Sequence, residues 1–199
     1  MKIKQTLYSN QICLVIQLNS AYSAILPLIE HYAEQENDLA ALLLGDMHKS
    51  GAGVDKDLMR AFQLYSKPAN KGNAYAQFWL GFMYDKGYGV TKDDSEAVKW
   101  YRKAAEQEFS VAQSNLGFMY YNGEGVKRDY YQAYVWFNVA LLFGEIPNND
   151  VSELTRNIEE GKKGWIFDDD PLLSASECQR AKEEAQRKYE EIKKRNGWD

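Results

Sequence analysis

Histidine, cysteine and proline are scarce in this chain of 199 residues, which has two His, two Cys and four Pro. Each scarcity excludes something. His31 and His48 stand with no cysteine near them in sequence, and no metal-ligand cluster, Cys–His pairing or serine-nucleophile motif can be assembled. The chain is therefore not expected to be an enzyme, and no metal or other cofactor is expected. Two cysteines, Cys13 and Cys178, are too few for a disulfide framework and give no argument for an oxidising compartment. No apolar run approaches the roughly 20 residues of a membrane span. A net charge of -5 gives no general reason to expect nucleic acid or anionic lipid as a partner. What is present is the composition of a folded globular protein, 45% hydrophobic and 27% charged, with 14% aromatic residues.

The aromatics are periodic. Gly81-Phe82-Met83-Tyr84 returns as Gly117-Phe118-Met119-Tyr120, and more faintly as Gly45-Asp46-Met47-His48. Gly87-x-Gly89-Val90 returns at Gly123 and Gly51. Asp93 matches Asp57 and Asp129, Ala97 matches Ala61 and Ala133, and Trp100-Tyr101 matches Trp136-Phe137 and Leu64-Tyr65. Every pair is 36 residues apart. A fixed period of that size is the mark of a solenoid.

Each period carries one plan. A first helix, Leu39–Lys49, Tyr75–Lys86 or Val111–Asn122, places Ala, Leu, Met and Tyr on one face, as in Ala76, Leu80, Met83 and Tyr84. Gly45, Gly81 and Gly117 fall inside it, at about 1 kcal/mol each relative to alanine. Three repetitions of that cost point to close approach by a partner helix. Gly51, Gly87 and Gly123 end the helix, and Asp57, Asp93 or Asp94, and Asp129 cap the next. Ala61, Ala97 and Ala133 let the two helices touch. The Gly-x-Gly-Val turns lack the strand and lysine of a phosphate cradle.

The ends differ from the repeats. Lys2 and Lys4 before Ile12-Cys-Leu-Val-Ile16 resemble a signal peptide, although Asn10, Gln11 and Gln17 interrupt it; the other reading is a short element covering the first repeat. The expected location is cytoplasmic, or periplasmic or secreted if residues 1–23 are cleaved. Ser20 or Ser23 can cap a helix to Ala33. Beyond Pro147, Val151–Glu160 forms a short helix and residues 161–171 a loop bearing Trp165, Phe167 and Asp168-Asp-Asp170. Ser174-x-x-Glu177 is a capping box opening a charged helix to about Arg195, with a thin apolar side of Cys178, Ala181, Ala185, Tyr189 and Ile192. The organisation is a half-repeat cap (1–36), three repeats (37–72, 73–108 and 109–145) and a helical cap (146–199).

Leu80 to Ala105 reads L-G-x-M-Y-x-x-G-x-G-V-x-x-D-x-x-x-A-x-x-W-Y-x-K-A-A, which resembles the Sel-one-like repeat, a relative of the tetratricopeptide repeat. Leu116 to Ala140 follows with Phe137 for Tyr. In the first copy His48 replaces Tyr, Leu64 replaces Trp and Pro68 replaces Ala, which predicts an irregular second helix near Ser66. The resemblance implies an all-α fold, a right-handed α-solenoid of antiparallel helix pairs. It also implies a non-enzymatic adaptor or scaffold that binds another protein in its concave groove. The alternative it offers is a bacterial immunity-type protein that neutralises a secreted toxin.

If the first helices line the concave side, the positions opposite the core stripe are Leu42, Asp46 and Lys49; Phe78, Phe82 and Asp85; and Ser114, Phe118 and Tyr121, with Trp79 at the edge. Aromatics on such a face suggest a partner-binding patch. The other reading is burial against the next repeat. Phe82 and Phe118 are the stronger candidates because they share one repeat position. Tyr84, Tyr120, Trp100, Tyr101 and Trp136 are read as core.

Overall fold

In the computed structural model, residues 24–144, 149–159 and 173–197 are described, and among them no strand occurs. Helix α1 covers residues 24–34. Three helix pairs follow: α2 (Asp38–Ser50) with α3 (Leu58–Asn70), α4 (Ala74–Lys86) with α5 (Asp94–Ala105), and α6 (Ser110–Asn122) with α7 (Tyr130–Phe143). Helices α8 (Asn149–Glu159) and α9 (Ala175–Asn196) complete the order. Consecutive helices pack on one another through the array, and α8 and α9 both pack on α7. The result is an all-α solenoid.

Local chemistry sets every boundary in the repeats. The Asp57, Asp93 and Asp129 carboxylates accept the backbone N–H of Arg60, Glu96 and Gln132 at 2.9, 3.0 and 3.0 Å. Such caps are worth about 1 kcal/mol each. Asn37 and Asn73 cap α2 and α4 in the same way. The third repeat has Phe109 there, with no side-chain cap; its ring lies 5.0 Å from that of Phe78 instead. Gly51, Gly87 and Gly123 turn left-handed, each returning its N–H to a methionine carbonyl of the helix just ended. The second glycine of the turn stacks the repeats. A Cβ on Gly125 would lie 2.1 Å from the Asp94 carbonyl oxygen.

Close approach explains the helical glycines. A Cβ on Gly45, Gly81 or Gly117 would meet the ring of Tyr65, Tyr101 or Phe137 at 2.8, 2.7 or 2.5 Å. These rings are fully buried, as are Ala61, Ala97 and Ala133 beside them. Repeats are joined by a glutamine latch that sequence periodicity did not single out. Gln77 and Gln113, 36 positions apart and both buried, donate to the carbonyls of Ala69 and Ala105 at 3.0 and 2.9 Å. Those carbonyls lie in the last turns of their helices, where intrahelical partners run out; that of Ala69 also accepts from the backbone N–H of Gly72.

Two expectations need correction. Helix α3 runs unbroken through Pro68, which is buried; Ser66 Oγ donates to the Phe62 carbonyl and Asn70 Nδ2 to that of Ser66. Tyr84, Tyr120 and Trp100 are half-buried, whereas Tyr101 and Trp136 are core. The three half-buried rings seal seams: Tyr84 meets Phe62 edge-on at 5.4 Å, Tyr120 takes a hydrogen bond from Arg102, and Lys103 covers Trp100. Helix α7 is apolar all round because α6 covers one side and α8 and α9 the other. The capping box at Ser174 and Glu177 is formed, and Cys178, Ala181, Ala185 and Ile192 are buried. Residues 1–23 and 160–172, including the signal-like run, Cys13 and the acidic loop, lie outside the described residues.

Gly117→Ala gains about 1 kcal/mol of helix propensity and suffers about 1–3 kcal/mol of overpacking against a ring with nowhere to move. Urea unfolding followed by circular dichroism should show a net loss, and adding Phe137→Leu should recover part of it.

Candidate functional site

The first helices α2, α4 and α6 present one face, and every position singled out in the sequence lies along it at repeat spacing. The structure divides them by burial. Phe78, Ser114 and Tyr121 are buried and unavailable to a partner, so at these three positions the packing reading replaces the binding one. Phe78 is enclosed by Trp79, Phe82, Tyr101 and Phe109, and Tyr121 packs edge-on against Tyr130. Ser114 turns its hydroxyl to the Val111 carbonyl. Leu42, Asp46, Lys49, Trp79, Phe82, Asp85 and Phe118 are half-buried.

Two recesses lie on this face, one between each pair of successive first helices. The first has a volume of about 400 Å³ and is lined by Lys49, Lys56, Leu58, Trp79, Phe82, Met83 and Tyr88. The second, about 310 Å³, takes in Phe82, Asp85, Lys86, Asn115, Phe118 and Glu124. Phe82 stands between them and belongs to both. Its ring meets Trp79 at 5.4 Å and Tyr88 at 5.9 Å, and Tyr88 is 45% exposed.

Behind the first recess is a polar cluster that holds its wall. Asp46 accepts hydrogen bonds from Tyr65 at 2.8 Å, Tyr75 at 2.7 Å and Lys49 at 2.5 Å. The Lys49 ammonium also sits 3.5 Å from the centroid of Trp79. Burial opposes the charge on Asp46, but the hydrogen bonds from Lys49, Tyr75 and Tyr65 outweigh it and hold the carboxyl below its ordinary value. Burial chiefly, and then the Asp46 carboxylate, pushes Tyr75 up to about 12 and raises Tyr65 as well. In the next repeat Asp85 takes the hydroxyl of buried Tyr101 at 3.3 Å and pairs with Lys86. The third repeat has Phe137 at that ring position and carries no acid at 118 or 121.

No group of three or more His, Cys, Asp or Glu able to hold a metal occurs among the described residues. The geometry offers apolar surface and fixed charge.

The Sel1 repeat model matches residues 38–73, 74–109 and 110–141, more than half of the chain. The chain belongs to the Sel1 repeat family. A Sel1 repeat protein from Oxalobacter formigenes is similar at 29% identity and a TM-score of 0.64, over 90% of this chain and 74% of that one. A protective antigen of uropathogenic Escherichia coli with an SLR fold matches at 29% identity and a TM-score of 0.66; 96% of this chain is covered but only 40% of the antigen. Cysteine-rich protein B of Helicobacter pylori shares the fold at 23% identity and a TM-score of 0.51, over 69% of this chain and 96% of that one. Among curated proteins none matches.

As a Sel1 repeat protein, the chain shows on this face what its repeats do not hold in common. Lys56, Leu58 and Tyr88 were missed in the sequence because they lie in turns or at a helix start, outside the first-helix register. The signal that could have found two of them was the contrast of Leu58 with Asp94 and of Tyr88 with Glu124 at the same repeat positions; Lys56 repeats as Lys92 and gave none.

Asp46→Asn keeps the shape and removes the charge. A lowered folded-state pKa contributes stability that is complete above the ordinary carboxylate range and lost as pH falls through the folded value. Urea unfolding at neutral pH should show the variant less stable by about 1–2 kcal/mol, and the gap from wild type should close in acid.

Proposed function

We propose that the chain is a non-enzymatic adaptor or scaffold that holds a partner protein against the face of α2, α4 and α6. Sel1 repeat proteins are in general protein-interaction modules. The observation that carries the reading to this face is Phe82, a half-exposed aromatic between two recesses, in ring contact with Trp79 and Tyr88 and sharing the second recess with Phe118. Aromatic side chains held rigidly at a pocket rim lose little entropy on contact and dominate interface energetics. The same face would serve a toxin-neutralising protein, whose signature would be one tight partner rather than several weaker ones; no observation favours it.

Affinity capture from the source organism identifies the partner, and calorimetry then measures its affinity. Phe82→Ala with Phe118→Ala should weaken it at least about tenfold, with Lys99→Ala on the second-helix face as the neutral control. Unchanged affinity in a variant whose circular dichroism is native would refute the proposal.

A further inference from the structure

The two recesses occupy equivalent repeat positions and differ in the charged residues that line them. Lys49 of the first stands where Asp85 stands in the second, Leu58 where Asp94 stands, and Tyr88 where Glu124 stands. The lysines beside them have different fates. Lys92 pairs with Asp94 at 3.2 Å. Its counterpart Lys56 meets Leu58 in that position, and among the described residues no carboxylate pairs with it. Lys49 is held by Asp46. Lys56 is thus an exposed cation, unpaired among the described residues, at the lip of an aromatic recess, although Asp55 and Asp57 flank it in sequence, while the neighbouring recess carries Asp85 and Glu124 against Lys86, with Lys92 acting on both acids.

We infer that the occupant of this face is an extended peptide segment of the partner that lays a bulky apolar side chain against Phe82 and Tyr88, turns a carboxylate to Lys56, and carries no acid where it crosses to the second recess. This rests on the interaction reading above and specifies its ligand. Charge complementarity selects the acid: a carboxylate at Lys56 gains a partner, and one at Asp85 and Glu124 meets repulsion. Geometry sets the spacing. Phe82 borders both recesses and an extended chain advances about 3.3 Å per residue, so a segment with the acid and the residue over the second recess about three positions apart reaches from one to the other.

The test uses synthetic octapeptides with a central Leu or Trp, carrying Glu on one side and Lys about three residues away, in both orders, beside all-Lys and all-Glu versions. Binding to the purified chain is read by fluorescence polarisation. One mixed order should bind at least about fivefold tighter than the all-Lys and all-Glu peptides, and Lys56→Glu should abolish that preference. Lys56 is exposed, so the variant should keep the wild-type circular dichroism. Equal binding of acidic and basic peptides, or a preference that survives Lys56→Glu, overturns the inference. If no peptide binds while the intact partner still loses affinity on Phe82→Ala, the inference fails and the interaction reading stands. If peptides bind and neither Phe82→Ala nor Lys56→Glu weakens them, the inference fails; if the intact partner also keeps its affinity for the Phe82→Ala, Phe118→Ala variant, the interaction reading fails with it.

Discussion

An aromatic ring seated on a glycine joins the two helices of every repeat. Tyr65 covers Gly45, Tyr101 covers Gly81 and Phe137 covers Gly117, each so closely that a methyl group would overlap the ring. The contact sets the separation of the helices, and the alanines at 61, 97 and 133 complete the seam with no exposed surface. Because each pair is built to the same spacing, the pairs stack in register. The second glycine of a turn can then press on the helix start of the preceding repeat, as Gly125 does on Asp94. Neighbour-to-neighbour contact of this kind is what makes a solenoid an additive structure.

The same ring links the core to the functional face. In the first two repeats it is tyrosine, and its hydroxyl emerges beside the first helix, where a buried donor needs an acceptor. Asp46 and Asp85 supply it. In the third repeat the ring is phenylalanine and no acid is present at either position. The carboxylates on this face are therefore partly structural. Asp46 in turn anchors Lys49, which lies over Trp79 and forms the floor of the first recess. The charge that remains for a ligand is a difference between repeats and lies in the turns, at Lys56 and Glu124.

Much of this was legible because it is local. A glycine past a helix end, an aspartate before the next helix and a serine three residues before a glutamate each act within a few residues, and Gly87, Asp93 and Ser174 do what their positions predict. Burial was less legible. Phe78 and Tyr121 sit on the side of their helices opposite the core stripe, yet each is closed in by aromatic neighbours, Phe109 across from one and Tyr130 across from the other. Phe109 holds a position that is a capping asparagine in the other repeats, so the repeat pattern gave no warning of it. Pro68 misled in the other direction: helix α3 continues through it because the flanking turns are held by Ser66, Asn70 and a buried environment.

The sequence by itself determined the period, the helix boundaries and the close approach of a partner helix at the helical glycines, since all three follow from steric and hydrogen-bonding rules that operate at fixed spacing. Only the tertiary structure decided which first-helix side chains remain open, that Phe82 stands between two recesses, and that Lys92 pairs with Asp94 while Lys56 pairs with no carboxylate among the described residues. Those facts depend on how residues from adjacent repeats meet, and two residues distant in sequence acquire a relation only when packing brings them to one surface.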